Sequence, residues 1–455
     1  MTNRKIAIVV LAAGLGTRMK SSMPKVMHPI AGRPMIRHLL ASLEALSPDP
    51  LVVVVGKEME AVRSAVAPYP TVVQKERLGT GHAVMAARPA LEGFEGDVLI
   101  VYGDTPLLSP ATLARMLEAR RTTPGPAVVV LGFRPTDAGA YGRLIVDADG
   151  MLQAIVEAKE ADAEQLAMEL CNSGVMAVDA AHLFRLLDRV DNKNSKAEYY
   201  LTDIVALARS EGLGCGVVEG CEAELIGVNS RAELARVEHL VQSDLRARAM
   251  AAGVTLLDPA SVFFSYDTRL GQDVVVGPFV VFGPGVTVAD SVEILGFCHF
   301  QGVSIEAGAQ VGPFARLRPG ASIGPRAHIG NFVEIKNATV ETGAKVNHLT
   351  YVGDARVGSG ANIGAGTITC NYDGFFKDHT DIGAGAFIGS NSSLVAPVKI
   401  GDGAMVGAGT IVTEDVPADA LVLTRAPHTE KGGWARSFRE RRSAEKAARK
   451  PLNKS

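Results

Sequence analysis

Between residues 276 and 406 an aliphatic residue or Phe returns at every sixth position, a spacing that few chain geometries can satisfy. The series runs Val276, Phe282, Val288, Ile294, Phe300, slips to a five-residue step, and continues through Ile305, Val311, Leu317, Ile323, Ile329 and Ile335. Two more slips lead through Val340, Val346, Val352, Val357 and Ile363; after one long gap the series resumes at Ile382, Ile388, Leu394, Ile400 and Val406. An α-helix repeats near 3.6 and a half-buried strand near 2, so neither fits. A parallel β-helix does, because each short flat face presents one inward residue per turn and coils stack at about 4.8 Å. Gly follows many of the inward residues (Gly277, Gly283, Gly324, Gly330, Gly364 and Gly389 among them), and is expected to let the backbone turn each corner without a Cβ clash. A disordered Gly-rich tract would lack the apolar ladder.

The rest of the chain follows a different rule. With 455 residues, 47% of them hydrophobic, the chain can fill more than one core, and two or three domains are expected. Apolar runs at 6–11, 51–55, 98–102 and 128–131 alternate with helical patterns, the signature of a mainly parallel sheet covered by helices. Ser230 and Glu233 form a capping-box pattern, and Leu234, Val237, Val241, Leu245 and Ala249 make a helical stripe, so a connecting helix ending near Gly253 is expected. Beyond Pro427 the six-residue beat is lost. Arg436, Arg439, Arg441, Arg442, Lys446, Arg449 and Lys450 there read as a solvated or frayed tail rather than a nucleic-acid arm.

A net charge of −3 argues against nucleic acid as a partner. The five cysteines are odd in number and lack CxxC spacing, which points away from a disulfide framework or zinc site and towards a reducing cytoplasm. The apolar run at the start is too short for a signal peptide, and no stretch reaches the roughly 18 residues of a membrane span.

Two groups of residues carry chemistry. In the first, the run 6–11 enters Ala12-Ala13-Gly14-Leu15-Gly16-Thr17-Arg18-Met19, with Pro24-Lys25 close behind. Small residues let backbone N–H groups approach phosphate oxygens, and Arg18 and Lys25 add positive charge. No third Gly completes a dinucleotide fingerprint, and no Gly-Lys-Ser/Thr completes a P-loop. Asp104 follows an apolar strand, where a carboxylate can hold a divalent cation at the carboxyl edge of a sheet; a capping or turn Asp is the alternative.

The second group lies on the coil, in Arg316-Leu317-Arg318-Pro319-Gly320, Glu334-Ile335-Lys336-Asn337 and Val346-Asn347-His348-Leu349-Thr350-Tyr351. Arg318 and Lys336 are 18 residues apart, one coil, which stacks them about 5 Å apart. Two such cations repel unless an anion lies between them. His348 is the cluster's only imidazole, a candidate general base, although a lone His is more often structural. The gap in the rhythm, 367–380, holds Asn371-Tyr372-Asp373-Gly374, a turn-forming run that must bulge from the coil, and such loops usually cover sites.

The segment 11–18 with Pro24-Lys25 resembles the signature of sugar-nucleotide pyrophosphorylases. Gln74, Leu78-Gly79-Thr80-Gly81-His82-Ala83, Tyr102-Gly103-Asp104, Tyr141-Gly142-Arg143, Ile155-Val156-Glu157, Asn172-Ser173-Gly174, Glu198-Tyr199-Tyr200-Leu201-Thr202-Asp203 and Gly227-Val228-Asn229 narrow the match. Their order is similar to that in bifunctional enzymes joining N-acetylglucosamine-1-phosphate uridyltransferase to glucosamine-1-phosphate N-acetyltransferase. The likeness covers essentially the whole chain up to the basic tail.

That resemblance implies a Rossmann-like α/β nucleotidyltransferase domain (1–229), a linker helix (230–253), a left-handed β-helix acetyltransferase domain of hexapeptide repeats (254–426) and a basic tail (427–455). It implies Mg²⁺ on Asp104 and Asn229, uracil recognition by Gln74, Gly79 and Thr80, and sugar contacts from Gly142, Glu157 and Asn172. Leu11, Ala12, Ala13, Gly14, Arg18, Lys25, Tyr102 and Gly103 complete the nucleotide and sugar set. On the coil it assigns the phosphate of glucosamine-1-phosphate to Arg318 and Lys336, the sugar to Tyr351 and Asn362, and the base to His348. Ala365, Asn371, Tyr372, Ser390, Ala408 and Arg425 fall to acetyl-CoA, Arg425 as partner of a CoA phosphate. His379 stands where a second Lys is expected in the loop, and Ser230 where Asn is commoner.

The implied substrates are UTP, glucosamine-1-phosphate, N-acetylglucosamine-1-phosphate and acetyl-CoA, and the implied assembly is a homotrimer that covers the coil's flat faces. The leading expectation is acetyl transfer followed by uridylyl transfer. Its rivals are a single-activity nucleotidyltransferase with a merely oligomerising β-helix, and a regulatory subunit that keeps only the fold.

Overall fold

The computed structural model describes residues 4–123, 125–194 and 196–448. The chain divides into two compact units, Met1–Arg269 with Val281–Val286, and Leu270–Val280 with Thr287–Ser455.

The first unit is built on a nine-stranded sheet whose main path comprises β1 (Ile6–Leu11), β2 (Leu51–Gly56), β3 (Thr71–Gln74), β4 (Asp97–Tyr102), β5 (Val128–Phe133), β6 (Cys171–Asp179) and β7 (Cys215–Glu219), with Arg143–Val146 and Leu152–Val156 paired off that path. The order along the path is β7-β5-β6-β4-β1-β2-β3. All neighbours along it are parallel except β6, which runs antiparallel to both β4 and β5. The central strands read as unbroken aliphatic runs because both faces are covered: Ile8 and Val10 join one apolar core, Ala7 and Val9 the other. From β1 the chain winds outward through β2 and β3, then returns to β4 on the other flank of β1. That reversal opens a crevice at the carboxyl ends of β1 and β4, where ligands of open α/β sheets bind.

The helix Arg231–Ala251 begins with the capping box: the Ser230 side chain accepts from Glu233 N, and the Glu233 carboxylate accepts from Ser230 N at 2.7 Å. Its apolar stripe is supplemented by two buried polar residues. Gln242 exchanges bonds of 2.7 and 2.8 Å with the backbone O and N of Phe264, and Arg246 donates to Val262 O. Gly253, at φ +97°, ends the turn that follows.

The second unit is a left-handed parallel β-helix. Every member of the six-residue series is buried. One face is a parallel ladder from Val275–Val276 through Glu293–Ile294, Gln310–Val311, His328–Asn331, Lys345–His348, Asn362–Ile363, Phe387–Ile388 and Met405–Val406 to Leu421–Val422. The register steps by 18 from Val275 to Glu293 and by 17 from Glu293 to Gln310, but by 25 from Asn362 to Phe387. The excess is the loop, which leaves the coil without breaking the ladder. Its tip is closed by Asp373 Oδ1, which accepts from Phe375 N and Phe376 N at 2.7 Å, and Phe375 is 87% exposed.

One expectation needs correction. Most glycines following inward residues are not there to turn corners; Gly312, at φ +103°, is the exception. Left-handed corners are taken by Phe297 (φ 63°), Phe314, Phe332 and Leu349, whereas Gly330 and Gly364 have ordinary φ. A Cβ on Gly364 would lie 2.6 Å from Ile388 O, and one on Gly330 would overlap the Asn347 carbonyl oxygen. Stacked coils simply leave no room for it. The basic tail is solvated as expected: it forms a 15-residue helix, Trp434–Ala448, with no buried residue. Arg436, Arg439, Arg441, Arg442 and Lys446 ride on it, while Arg449 and Lys450 lie outside the described residues.

Candidate active sites

The first site occupies the crevice. Register pairs Leu11 with Tyr102 and Val54, and Gly56 with Gln74, so four strand ends open onto one cavity of about 260 Å³. Leu11, Ala12, Ala13, Gly14, Lys25, Gln74, Gly79, Thr80, Tyr102 and Asp104 line it. Gly103 packs beneath, where a Cβ would meet Val26, Ala12 and Leu11 O at 3.2–3.3 Å. Asp104 lies not on the strand but in the turn two residues past its end.

Lys25 is the electrostatic centre of the cavity. Its ammonium is ion-paired to Asp104 Oδ2 and donates to Asn229 Oδ1 at 2.9 Å, all three groups half-buried or better. Asp104 and Asn229 thus hold a cation between a carboxylate and an amide oxygen. That donor set fits Mg²⁺, which takes few protein oxygens and completes its shell with phosphates and water.

The end of the cavity at Gly79 is closed by backbone. Gly79 has φ +105° and lies against Tyr199 and Glu198, where a Cβ would come within 2.6 Å of Tyr199 O. Gln74 Nε2 donates to Gly79 O at 3.0 Å, and Thr80 Oγ1 accepts from Leu201 N at 3.0 Å. Beyond Tyr102, Asn172 N donates to Gly142 O at 2.8 Å, and Asn172 Oδ1 accepts from Gly174 N. Burial, then the charges of Asp104 and Glu157, push the Tyr102 hydroxyl up against a weaker lowering by its bond to Thr80. Burial likewise raises the Glu157 carboxyl, opposed by Lys196. Arg18 stands apart, exposed on the single turn Thr17–Met19.

Arg77 and Val26 line the cavity without having been singled out from the sequence, whereas Glu198 falls within the 198–203 segment named there. Arg77 Nε donates to Ala13 O at 2.8 Å, which turns the trans peptide so that Gly14 N–H points away from it. Its position between Gln74 and Gly79, both in recognised motifs, was the available signal.

On the coil, Arg316 stands over Glu334 and Arg318 N donates to Ile335 O, so Arg318 and Lys336 do share a register. They are not a bare pair. Arg318 Nη1 donates to Glu334 Oε1 at 2.7 Å, and Lys377 from the extruded loop meets Lys336. Contact with Lys377 lowers the Lys336 ammonium, with Arg318 a smaller cause. Asp354 answers this charge. Burial raises its carboxyl, but bonds from Asn337 and Asn371 and the charges of Lys336 and Lys377 outweigh that and hold it low. Lys377 was missed because the loop's fold, not coil spacing, brings it here; His379, where the second Lys was expected, is exposed two residues on.

His348 is exposed and joined to this cluster through the backbone: Thr350 Oγ1 donates to His348 O at 2.6 Å, and Glu334 N to Thr350 O at 2.9 Å. Tyr351 pairs with Glu334 in register, and Asn362 with Lys345 one coil on. Asn371 is buried and bonded to Asp354, while Tyr372 is exposed. Ala365, Ser390 and Ala408 stack at one corner, with Asn391 N donating to Ala365 O and Gly409 N to Ser390 O, each 2.8 Å. Arg425 Nη2 lies 3.6 Å from the Cβ position of Gly407 beside that column.

The model of the MobA-like NTP transferase domain matches residues 8–195, and that of the bacterial transferase hexapeptide (six repeats) matches 302–337 and 379–414. The bifunctional protein GlmU of Paramagnetospirillum magneticum is 65% identical, over 98% of this chain and 99% of its own. That of Rhodospirillum rubrum is 65% identical over 96% and 97%, and that of Rhodopseudomonas palustris 53% over 99% of each. Identity of this extent spans both units and both sites, and the chain belongs to the family of the bifunctional protein GlmU.

Proposed function

We propose that residues 254–426 transfer acetyl from acetyl-CoA to glucosamine-1-phosphate, and that residues 1–229, followed by the linker helix 230–253, convert the product with UTP to UDP-N-acetylglucosamine and pyrophosphate. The observation that carries this reading is a pair of clusters: Asp104 and Asn229 holding the Lys25 ammonium in the crevice of the sheet, and Arg318, Lys336 and Lys377 gathered on the coil that also carries the exposed His348.

In the acetyl step the sugar amine attacks the thioester carbonyl, His348 takes the amine proton, and the C–S bond breaks to release CoA. Arg318, Lys336 and Lys377 hold the sugar phosphate, with Tyr351 and Asn362 on the sugar. Acetyl-CoA lies along the Ala365, Ser390 and Ala408 column with Asn371, Tyr372 and Arg425. In the uridylyl step a phosphate oxygen of N-acetylglucosamine-1-phosphate attacks the α-phosphorus of UTP in line, and pyrophosphate leaves. Here the protein mainly positions its substrates and neutralises charge. Ala12, Ala13, Gly14, Arg18 and Lys25 hold the phosphates, and Gln74, Gly79 and Thr80 the uracil. Gly142, Glu157 and Asn172, with Tyr102 and Gly103, bound the sugar. Mg²⁺ on Asp104 and Asn229 supplies charge neutralisation at the phosphates when bound.

We also infer a homotrimer in the cytoplasm. Among the described residues no helix is long and apolar enough to cross a membrane. Phe297, Phe314 and Phe332 form an exposed stack with centroids 4.9 and 5.1 Å apart, an apolar column of the kind a second copy would cover. Sedimentation of the full chain tests the assembly. The reactions are tested by supplying glucosamine-1-phosphate, acetyl-CoA, UTP and Mg²⁺ and following thiol and pyrophosphate separately; release of only one product sinks the bifunctional reading.

A further inference from the structure

His348 does not stand alone on its coil. Its Nδ1 lies 2.7 Å from Asn331 Oδ1, on the preceding coil. The contact is built into the backbone: Asn331 and His348 are register partners, and Leu349 N donates to Asn331 O at 3.0 Å. Gly330, immediately before, has no room for a Cβ against Asn347, so the two coils close tightly where the pair meets. Thr350 holds the His348 carbonyl from the other side. The charged or titratable residues of these strands are His328 and Lys345, with Glu334 on the neighbouring face.

We propose that Asn331 is the positioning residue of the acetyl-transfer base, an inference that rests on the reading of His348 as that base. An amide oxygen can only accept, so the ring nitrogen facing it must carry the hydrogen. This fixes the Nδ1–H tautomer and leaves the Nε2 lone pair as the ring's sole basic atom. When Nε2 takes the amine proton, the same Nδ1–H bond persists, so the ring need not turn between the two charge states. A neutral amide does this without the extra basicity that a carboxylate would confer.

The test measures acetyl transfer by thiol release in the full chain for wild type, H348A, N331A and N331D. Asn331→Ala is expected to lower kcat by about 10- to 100-fold, within the ~10²- to 10⁴-fold that a general base contributes, with KM for glucosamine-1-phosphate within about twofold. Asn331→Asp keeps the acceptor and is nearly isosteric. It should restore most of the rate at alkaline pH while moving the acidic limb of the pH profile upward by about one unit. A purely structural role would lower the melting temperature and shift neither the limb nor kcat alone. If N331A keeps wild-type kcat, or N331D leaves the limb in place, while H348A is inactive, the positioning role is overturned and the base survives. If H348A itself turns over normally, the reading beneath it falls instead.

Discussion

In the α/β unit the Lys25 ammonium meets a carboxylate 79 residues away and an amide 204 residues away, whereas on the coil His348 meets Asn331 only 17 residues away. The two regions assemble their chemistry by different geometry. A doubly wound sheet gathers strand ends that are remote in sequence, so its neighbours follow from strand order. A β-helix stacks residues one coil apart, so its neighbours follow from counting. The coil's exception teaches the same lesson: Lys377 joins Lys336 through the extruded loop, where the 17- or 18-residue count fails.

If the separation holds, Asp104→Ala should reduce uridylyl transfer by about 10³-fold or more and leave acetyl transfer within about twofold, and His348→Ala should do the reverse by ~10²- to 10⁴-fold. Assaying each half-reaction on the variants breaks the comparison if either substitution silences both in folded protein. Next in size are two glycines. Gly330→Ala forces a methyl into the Asn347 carbonyl and should cost the coil about 1–3 kcal/mol, seen as an earlier thermal loss of acetyl transfer. Gly14→Ala meets nothing within 4 Å; its stability should stay within about 0.5 kcal/mol while KM for UTP rises. Equal destabilisation of the two would show that both glycines serve packing.

A smaller effect is expected from Lys377→Ala, which should raise KM for glucosamine-1-phosphate about 10-fold, one lost charge-assisted bond, and flatten its salt dependence. An unchanged KM would return the anion site to Arg318 and Lys336 alone. The smallest concerns Asp203, whose carboxyl is pushed up to about 6 from 3.8 by burial and by the charges of Asp191, Glu160 and Glu157. Its folded state holds the proton more tightly than the unfolded chain, so its contribution to stability is fully present below about pH 4 and lost as pH rises through 6. Asp203→Asn should therefore raise the melting temperature by a few degrees at pH 7–8 and by nothing near pH 4. A gain independent of pH would assign the effect to something other than ionisation.

Much of this was legible in the chain. The inward series from Val276 to Val406 needs no tertiary information, because each coil repeats the same local geometry and one apolar residue must face inward on each flat side. The cavity-lining turn after Leu11 was equally readable, since a strand entering a run of Ala and Gly leaves backbone N–H groups exposed. Arg77 was not. Its part in the cavity depends on how separate segments cross over it, and only its place between two motifs pointed to it. The reason given for the coil glycines failed for a related cause: the obstacle to a side chain is the next coil's backbone, not the residue's own φ.

The sequence by itself determined the two architectures, the period of the coil, the capped helix from Arg231 and the small-residue turn that lines the cavity, because these rest on local periodicity and short-range chemistry. Only the tertiary structure decided that Lys25 holds Asp104 and Asn229 together, that Arg318 is answered by Glu334, and that Lys377 reaches Lys336. It also decided that Asn331 faces the ring of His348. Each of these is a matter of ångströms between side chains from different segments, and hydrogen bonds and ion pairs weaken too steeply with distance and angle for a pattern of residues to imply them.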